Sequence, residues 1–276
     1  CMRQIHPGMN ECELDALIEY TFRRRGCTGA SYTNIVAGGA NACILHYVEN
    51  NQPLADGDLI LIDAGAEWSY YASDVTRTYP VNGTFSPEQR AVYEVVLATQ
   101  KAVIKGLAPG VPFEWMQRCA VEGIVDGLIE LGLVSGTRES VIEDGSYKRF
   151  YMHKASHWLG LDVHDCGAYF IDGEPRLLEP GMVLTVEPGI YIAEDDETVE
   201  ERWRGISVRI EDDLLVTESG SETLTAAIPK ELDEVEAACR SQALAPAPPG
   251  ACATHTHLAP ARARVRHPYP RQALRT

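Results

Sequence analysis

The sequence predicts an α/β chain of the α+β kind, with helices and short strands drawn from each of two halves. Two observations carry this. Helix-start signals stand directly ahead of apolar residues at helical spacing, and short β-rich apolar runs fall between those helices in both halves. The 276 residues suit one large domain or one domain plus appendages, and a hydrophobic share of 45% is enough for a core.

Asn10 followed by Glu13 reads as a capping pair, and Leu14, Leu17, Ile18 and Phe22 recur at helical spacing up to Gly26. Asp58–Ala64 (DLILIDA) is a short apolar run, read as a buried strand, and Tyr70–Val81 reads as its hairpin partner across residues 65–69. A second helix starts at Ser86-Pro87-Glu88-Gln89, with Val92, Val95, Val96 and Val103 as its buried stripe. A third follows Pro112 and carries Val121, Ile124, Val125 and Leu128 on one face. Met182–Val186, Ile206–Ile210 and Leu214–Val216 read as strands of the second half, and a last helix is expected from about Pro229 to Arg240. The body is therefore 1–240. Residues 241–276 are rich in Pro, Ala and Arg without apolar periodicity, and read as a disordered tail.

Charge and cysteine usage exclude several classes. Residues 240–276 hold six arginines and no acid, so the −16 of the whole chain less those six positive charges leaves −22 on residues 1–239. Such an acidic body repels nucleic acid and anionic membranes, and neither is an expected partner. No apolar run is long enough to span a bilayer. The eight cysteines include no C-x-x-C pair, which disfavours thiolate zinc and a disulfide scaffold and suits a reducing, cytoplasmic setting.

Four segments carry candidate chemistry, each with a bland alternative. Asp63 and Asp74 sit in apolar or β-rich runs, where an ionised carboxylate is costly unless it is paired or binds metal. One structural and one surface aspartate would look the same. HKASHWLGLDVHD (His153–Asp165) puts His153, His157 and His164 close together; the first two have zincin-like spacing, but Lys154 stands where the glutamate belongs. Glu187 ends an apolar strand and is held extended by Pro188, though a surface Glu could end a strand too. In RGISVRIEDD (Arg204–Asp213), alternation puts Ser207, Arg209 and Glu211 on one face, as it would on a solvent-facing edge. Taken together these segments offer four carboxylates and one imidazole without a thiolate. That donor set suits divalent manganese, cobalt, iron or zinc. Four carboxylates balance two divalent ions in charge, and without metal they would have to take up protons or separate.

At these residues the chain resembles a known family. Asp63, Asp74, His157, Glu187 and Glu211 match, in order, the five metal ligands of the pita-bread metallopeptidases, a group that includes methionine aminopeptidases, prolidases and Xaa-Pro aminopeptidases. ILHYVENN (Ile44–Asn51), SDVTRTYPVNGTFSPEQR (Ser73–Arg90) and SHWLGLDVHD (Ser156–Asp165) resemble the aminopeptidase P type, and the likeness covers about residues 1–240. It implies a curved antiparallel sheet with helices on its outer face and the site in the concave face. It also implies two divalent ions, manganese first, with cobalt, zinc or iron compatible. Asp63 is then expected to chelate one ion alone, Asp74 and Glu211 to bridge, and His157 and Glu187 to complete the other.

His46, His153 and His164 match histidines that hold substrate and the developing oxyanion, and Arg209 matches the arginine beside the bridging glutamate. The implied reaction removes the N-terminal residue of peptides with proline second. A hydroxide bridging the ions attacks, His164 steadies the oxyanion, and Glu187 passes a proton to the departing nitrogen. A peptide is the expected partner, and a homo-oligomer is compatible with it. A prolidase-type dipeptidase is the nearest alternative. A non-catalytic binding module is the other, although all five ligand positions are filled. Members of this type usually carry a further N-terminal domain, which a chain starting at Cys1 reads as lacking.

Overall fold

A computed structural model describes residues 1–241. The tail expected from residue 241 falls, beyond Ser241, outside those described residues. Five α-helices are present among them: α1 (Glu11–Arg24), α2 (Pro87–Gly106), α3 (Phe113–Glu130), α4 (Arg138–Asp144) and α5 (Leu232–Arg240). The strands of three or more residues are β1 (Ile35–Gly38), β2 (Leu59–Asp63), β3 (Thr76–Pro80), β4 (Val183–Val186), β5 (Gly189–Tyr191), β6 (Ser207–Arg209), β7 (Asp212–Thr217) and β8 (Gly220–Thr223). All pair antiparallel, in the orders β1-β2-β3, β8-β7-β4 and β6-β5.

The helix signals act through real caps. Asn10 and Glu13 close a reciprocal capping box on α1, and Ser86 and Gln89 close another on α2. Period-two alternation then sorts the strands. On β2, Ile60 and Ile62 join Leu14 and Ile18 of α1 in the main core, while Leu61 joins a smaller cluster with Ile35 and Tyr191, and Asp63 lines a cavity. Helices α2 and α3 pack closely because Gly127 leaves room: a Cβ there would lie 2.1 Å from Val95.

Two halves are joined directly behind the cavity. Glu211 donates its N–H to the carbonyl of Thr76 at 3.1 Å. Arg77 and Asp212 point the other way and pair at 2.7 Å. Arg77 also donates to the carbonyls of Thr76 (2.9 Å), Ile228 (3.0 Å) and Pro229 (3.0 Å), and Asp212 accepts from Gln100 of α2 (2.9 Å) and Lys230 (2.6 Å). Residues 228–230 thus form a non-helical strap tied to Arg77 and Asp212. That is why the last helix starts at Leu232 rather than near Pro229.

The hairpin partner expected over Tyr70–Val81 is also shorter, Thr76–Pro80. Ser69 and Tyr70 take positive φ of 51° and 69° in a tight turn, and Ala72 donates to Gly160 instead of to a strand neighbour. Gly65 closes this hairpin, since a Cβ there would lie 1.6 Å from the carbonyl oxygen of Ser73. Asp63 and Asp74 are thereby brought face to face. Helix α4, capped by Thr137, is an addition to the helices that the sequence predicts.

Glu11 shows how the scaffold fixes a loop. It is fully buried and accepts from Gly38 N (2.8 Å), Asn41 Nδ2 (3.0 Å), the Tyr47 hydroxyl (2.8 Å) and Gln52 N (2.9 Å). These donors bracket the segment that carries His46. Each buried donor left without an acceptor costs on the order of 1–3 kcal/mol. Glu11→Leu is therefore expected to lower the melting temperature by roughly 6 °C or more, at 2–4 °C per kcal/mol for a domain of this size. A thermal melt showing a shift under about 2 °C would contradict this role.

Candidate metal centre

Every sequence-predicted site residue lines one cavity of about 390 Å³: Asp63, Asp74, His157, Glu187 and Glu211, together with His46, His153, His164 and Arg209. They come from separate elements. Asp63 ends β2, Asp74 precedes β3, Glu187 follows β4, Arg209 ends β6, and Glu211 sits in the break before β7. The segment with the three histidines is irregular rather than helical, so the zincin-like spacing of His153 and His157 has no helical meaning here.

The carboxylates crowd one another. One ligand atom from each of Asp74, His157 and Glu211 lies within 4.8 Å of the others. His157 Nε2 stands 3.3 Å from Asp74 Oδ2 and 3.5 Å from Glu187 Oε1. Tyr32 places its hydroxyl against both Asp63 and Asp74. A hydroxyl has one proton and can satisfy only one of two ionised carboxylates. The second contact calls for another proton or a cation between the groups.

Titration behaviour follows from that crowding. Burial, then the charges of Asp74, Glu187 and Asp63, raise Glu211 well above the usual carboxyl range. Burial pushes Glu187 up to about 8, against the pull of His157 and Arg209. Asp74 rises to about 6, through burial and then Asp63. Burial works against the imidazolium of His157, but the hydrogen bond to Asp74 and the charge of Glu187 outweigh it and raise this group to about 9. His153 falls to about 4 through burial and Arg209, and His164 is lowered by burial and by His157. The site is thus a place where buried carboxylates hold protons that divalent ions would replace. Five oxygen and nitrogen donor side chains with no thiolate fit such ions.

Three further residues contribute to the site beyond those that the sequence predicts. Tyr32 stands in an irregular loop, where no pattern marks it. Thr76 accepts from Arg209 Nε at 3.1 Å and donates to Glu211 Oε2 at 2.6 Å. Tyr191 accepts from Arg209 Nη1 at 2.8 Å and lies 2.9 Å from His153 Nε2. Thr76 and Tyr191 each follow an expected ligand by an even number of residues along an extended segment, Asp74 to Thr76 and Glu187 to Tyr191, so alternation is the signal that could have found them. Arg209 also donates to Asp63 at 2.7 Å and so links the two halves inside the cavity.

The sequence model of metallopeptidase family M24 matches residues 1–218. The Xaa-Pro aminopeptidase of Haemophilus influenzae is 52% identical over 235 residues, 85% of this chain and 54% of that protein. The Xaa-Pro aminopeptidase of Escherichia coli is 48% identical over 236 residues, 86% of this chain and 53% of that one. Among solved structures, Pseudomonas aeruginosa aminopeptidase PepP superposes with a TM-score of 0.86 at 53% identity, over 87% of this chain and 54% of that one. An Escherichia coli aminopeptidase P variant in complex with substrate gives 0.84 at 47%, over 87% and 54%. The chain therefore spans about half the length of the relatives it matches. With the expected pita-bread fold in place, the chain belongs to metallopeptidase family M24.

Proposed function

We propose that this chain is the catalytic part of a metal-dependent Xaa-Pro aminopeptidase, which removes the N-terminal residue of peptides with proline in second position. The observation that carries this reading is the convergence of four carboxylates and His157 in one cavity that also presents His46, His153 and His164. Identity of about half to Xaa-Pro aminopeptidases over most of the chain supports it. Residues 1–240 are taken as the catalytic domain and 241–276 as a tail outside it. No helix among the described residues is long and apolar enough to cross a membrane, and the cysteine pattern supports a cytoplasmic setting.

Asp63, Asp74, His157, Glu187 and Glu211 would hold two divalent ions, with manganese the first candidate. When bound, such ions polarise a carbonyl oxygen and lower the pKa of water to near neutrality. The protein's own groups do the rest. His164, whose burial disfavours the imidazolium, offers a ring N–H to the oxyanion. Glu187 would take the proton that the attacking water gives up and pass it to the departing nitrogen. His46 and His153 orient the peptide, and Arg209 holds Asp63 in place.

Hydrolysis of Ala-Pro-Leu should be lost on chelation and return with manganese; full turnover in metal-free buffer would overturn the reading. His164→Ala should keep both metal equivalents and lose about 10²- to 10³-fold in kcat. Glu211→Ala should lose at least one equivalent by elemental analysis. Loss of metal in His164→Ala would contradict the assignment. Deleting residues 241–276 should alter neither metal content nor turnover.

A further inference from the structure

The cavity of the metal centre adjoins a smaller one. The side cavity, of about 130 Å³, shares Lys154, Ser156 and Tyr169 with it; Phe113, Met116 and Phe170 give it apolar walls, and Glu114 and Gln117 complete the lining. Met116 is fully buried and Phe113 nearly so, whereas Phe170 is half exposed at the rim. The volume suits one aliphatic side chain.

Two fixed cations line the main cavity, and only one is committed. Arg209 gives its donors to Thr76, Tyr191 and Asp63. The ammonium of Lys154 makes no hydrogen bond or ion pair among the described residues; it stands over the ring of Tyr169, 5.5 Å from the centroid. On the wall common to both cavities, the buried Ser156 hydroxyl also has no partner. Buried hydroxyls without partners are uncommon, and this one belongs to a residue that lines both cavities.

Charge gives the cavity a direction. Two divalent ions would balance the four carboxylates, and Arg209 is already paired with Asp63. That count leaves both Arg209 and Lys154 in excess, and Lys154 is the one of the two without an ion pair among the described residues. It repels a peptide's α-ammonium and attracts its carboxylate, so the chain would run from the carboxylate cluster toward Lys154 with its C-terminal side last.

We propose that Lys154 binds the C-terminal carboxylate of a short peptide, and that the side cavity takes the apolar side chain of the residue after proline. The preferred substrates are then short peptides with an apolar third residue and a free carboxyl end. This rests on the Xaa-Pro aminopeptidase reading for the identity of the substrate, but the binding itself can be measured without turnover.

The test is calorimetric binding of Pro-Leu and Pro-Leu-amide to the manganese-loaded full chain. The acid should bind about tenfold more tightly than the amide, roughly 1.4 kcal/mol. The difference should shrink as salt is raised, because the lysine is exposed. Lys154→Met should abolish the difference and Lys154→Arg should keep it. A preference for Pro-Leu over Pro-Gly should survive in Lys154→Met, because it comes from the apolar walls. An acid-to-amide ratio near one in the unaltered protein, or one unchanged in Lys154→Met, would overturn the proposal. Loss of the Pro-Leu preference would overturn the side-cavity half of it. Lysine-dependent binding without cleavage of Ala-Pro-Leu would uphold this subsite and count against the proposed reaction instead.

Discussion

Repulsion among four carboxylates in one cavity is the constraint around which the rest of the molecule is arranged. Asp63, Asp74, Glu187 and Glu211 line the same space, and Glu211 is only 1% exposed. Water cannot screen such charges well, so they must share protons, meet donors or bind cations. Each of the protein's own compensations is visible. Tyr32 touches two of the carboxylates, His157 lies between Asp74 and Glu187, Thr76 donates to Glu211, and Arg209 donates to Asp63.

Holding mutually repelling groups together requires a scaffold that does not yield. The first half of the chain supplies Asp63 and Asp74, and the second supplies Glu187 and Glu211. The halves meet where Glu211 donates its backbone N–H to Thr76, and on the opposite face Arg77 and Asp212 form a buried pair tied to α2 and to the strap at residues 228–230. Breaking a buried pair by removing one partner costs about 3–5 kcal/mol, because it leaves the other charge uncompensated. The scaffold therefore resists separation of the carboxylates by coupling it to the loss of a buried ion pair.

Much of this is legible in the residues themselves. Two members of the candidate ligand set can be read because they break a local rule: Asp63 closes an apolar run, and Glu187 precedes a proline that fixes its direction. Capping pairs mark the starts of α1 and α2 because those signals are local. Tyr32 is not legible, since its role depends on a loop folding over Asp63 and Asp74 from more than thirty residues away. The shortening of the strand before Thr76 is equally hidden, because the residues there find their partners at Gly160 and Asp213, far along the chain. The strap at residues 228–230 differs from the helix expected there for the same reason: its carbonyls are claimed by Arg77.

The cavity is built for cations rather than for protons, and the sign of that preference in a stability measurement can be worked out. Glu187 is pushed up to about 8 and Asp74 to about 6, so folding retains protons that the unfolded chain has released. That contribution weakens stability progressively as pH rises from the unfolded carboxyl values toward the folded ones. His157, raised to about 9, contributes stability that is full below its ordinary range and lost as pH rises toward that value. Both effects act against the metal-free protein as pH rises, and bound cations would replace the protons. The direct measurement is the melting temperature of metal-stripped and manganese-loaded protein between about pH 5 and 9. The expected result is a gap in favour of the loaded form that widens steadily with pH. A gap that stays constant or narrows as pH rises would contradict a site organised around divalent ions.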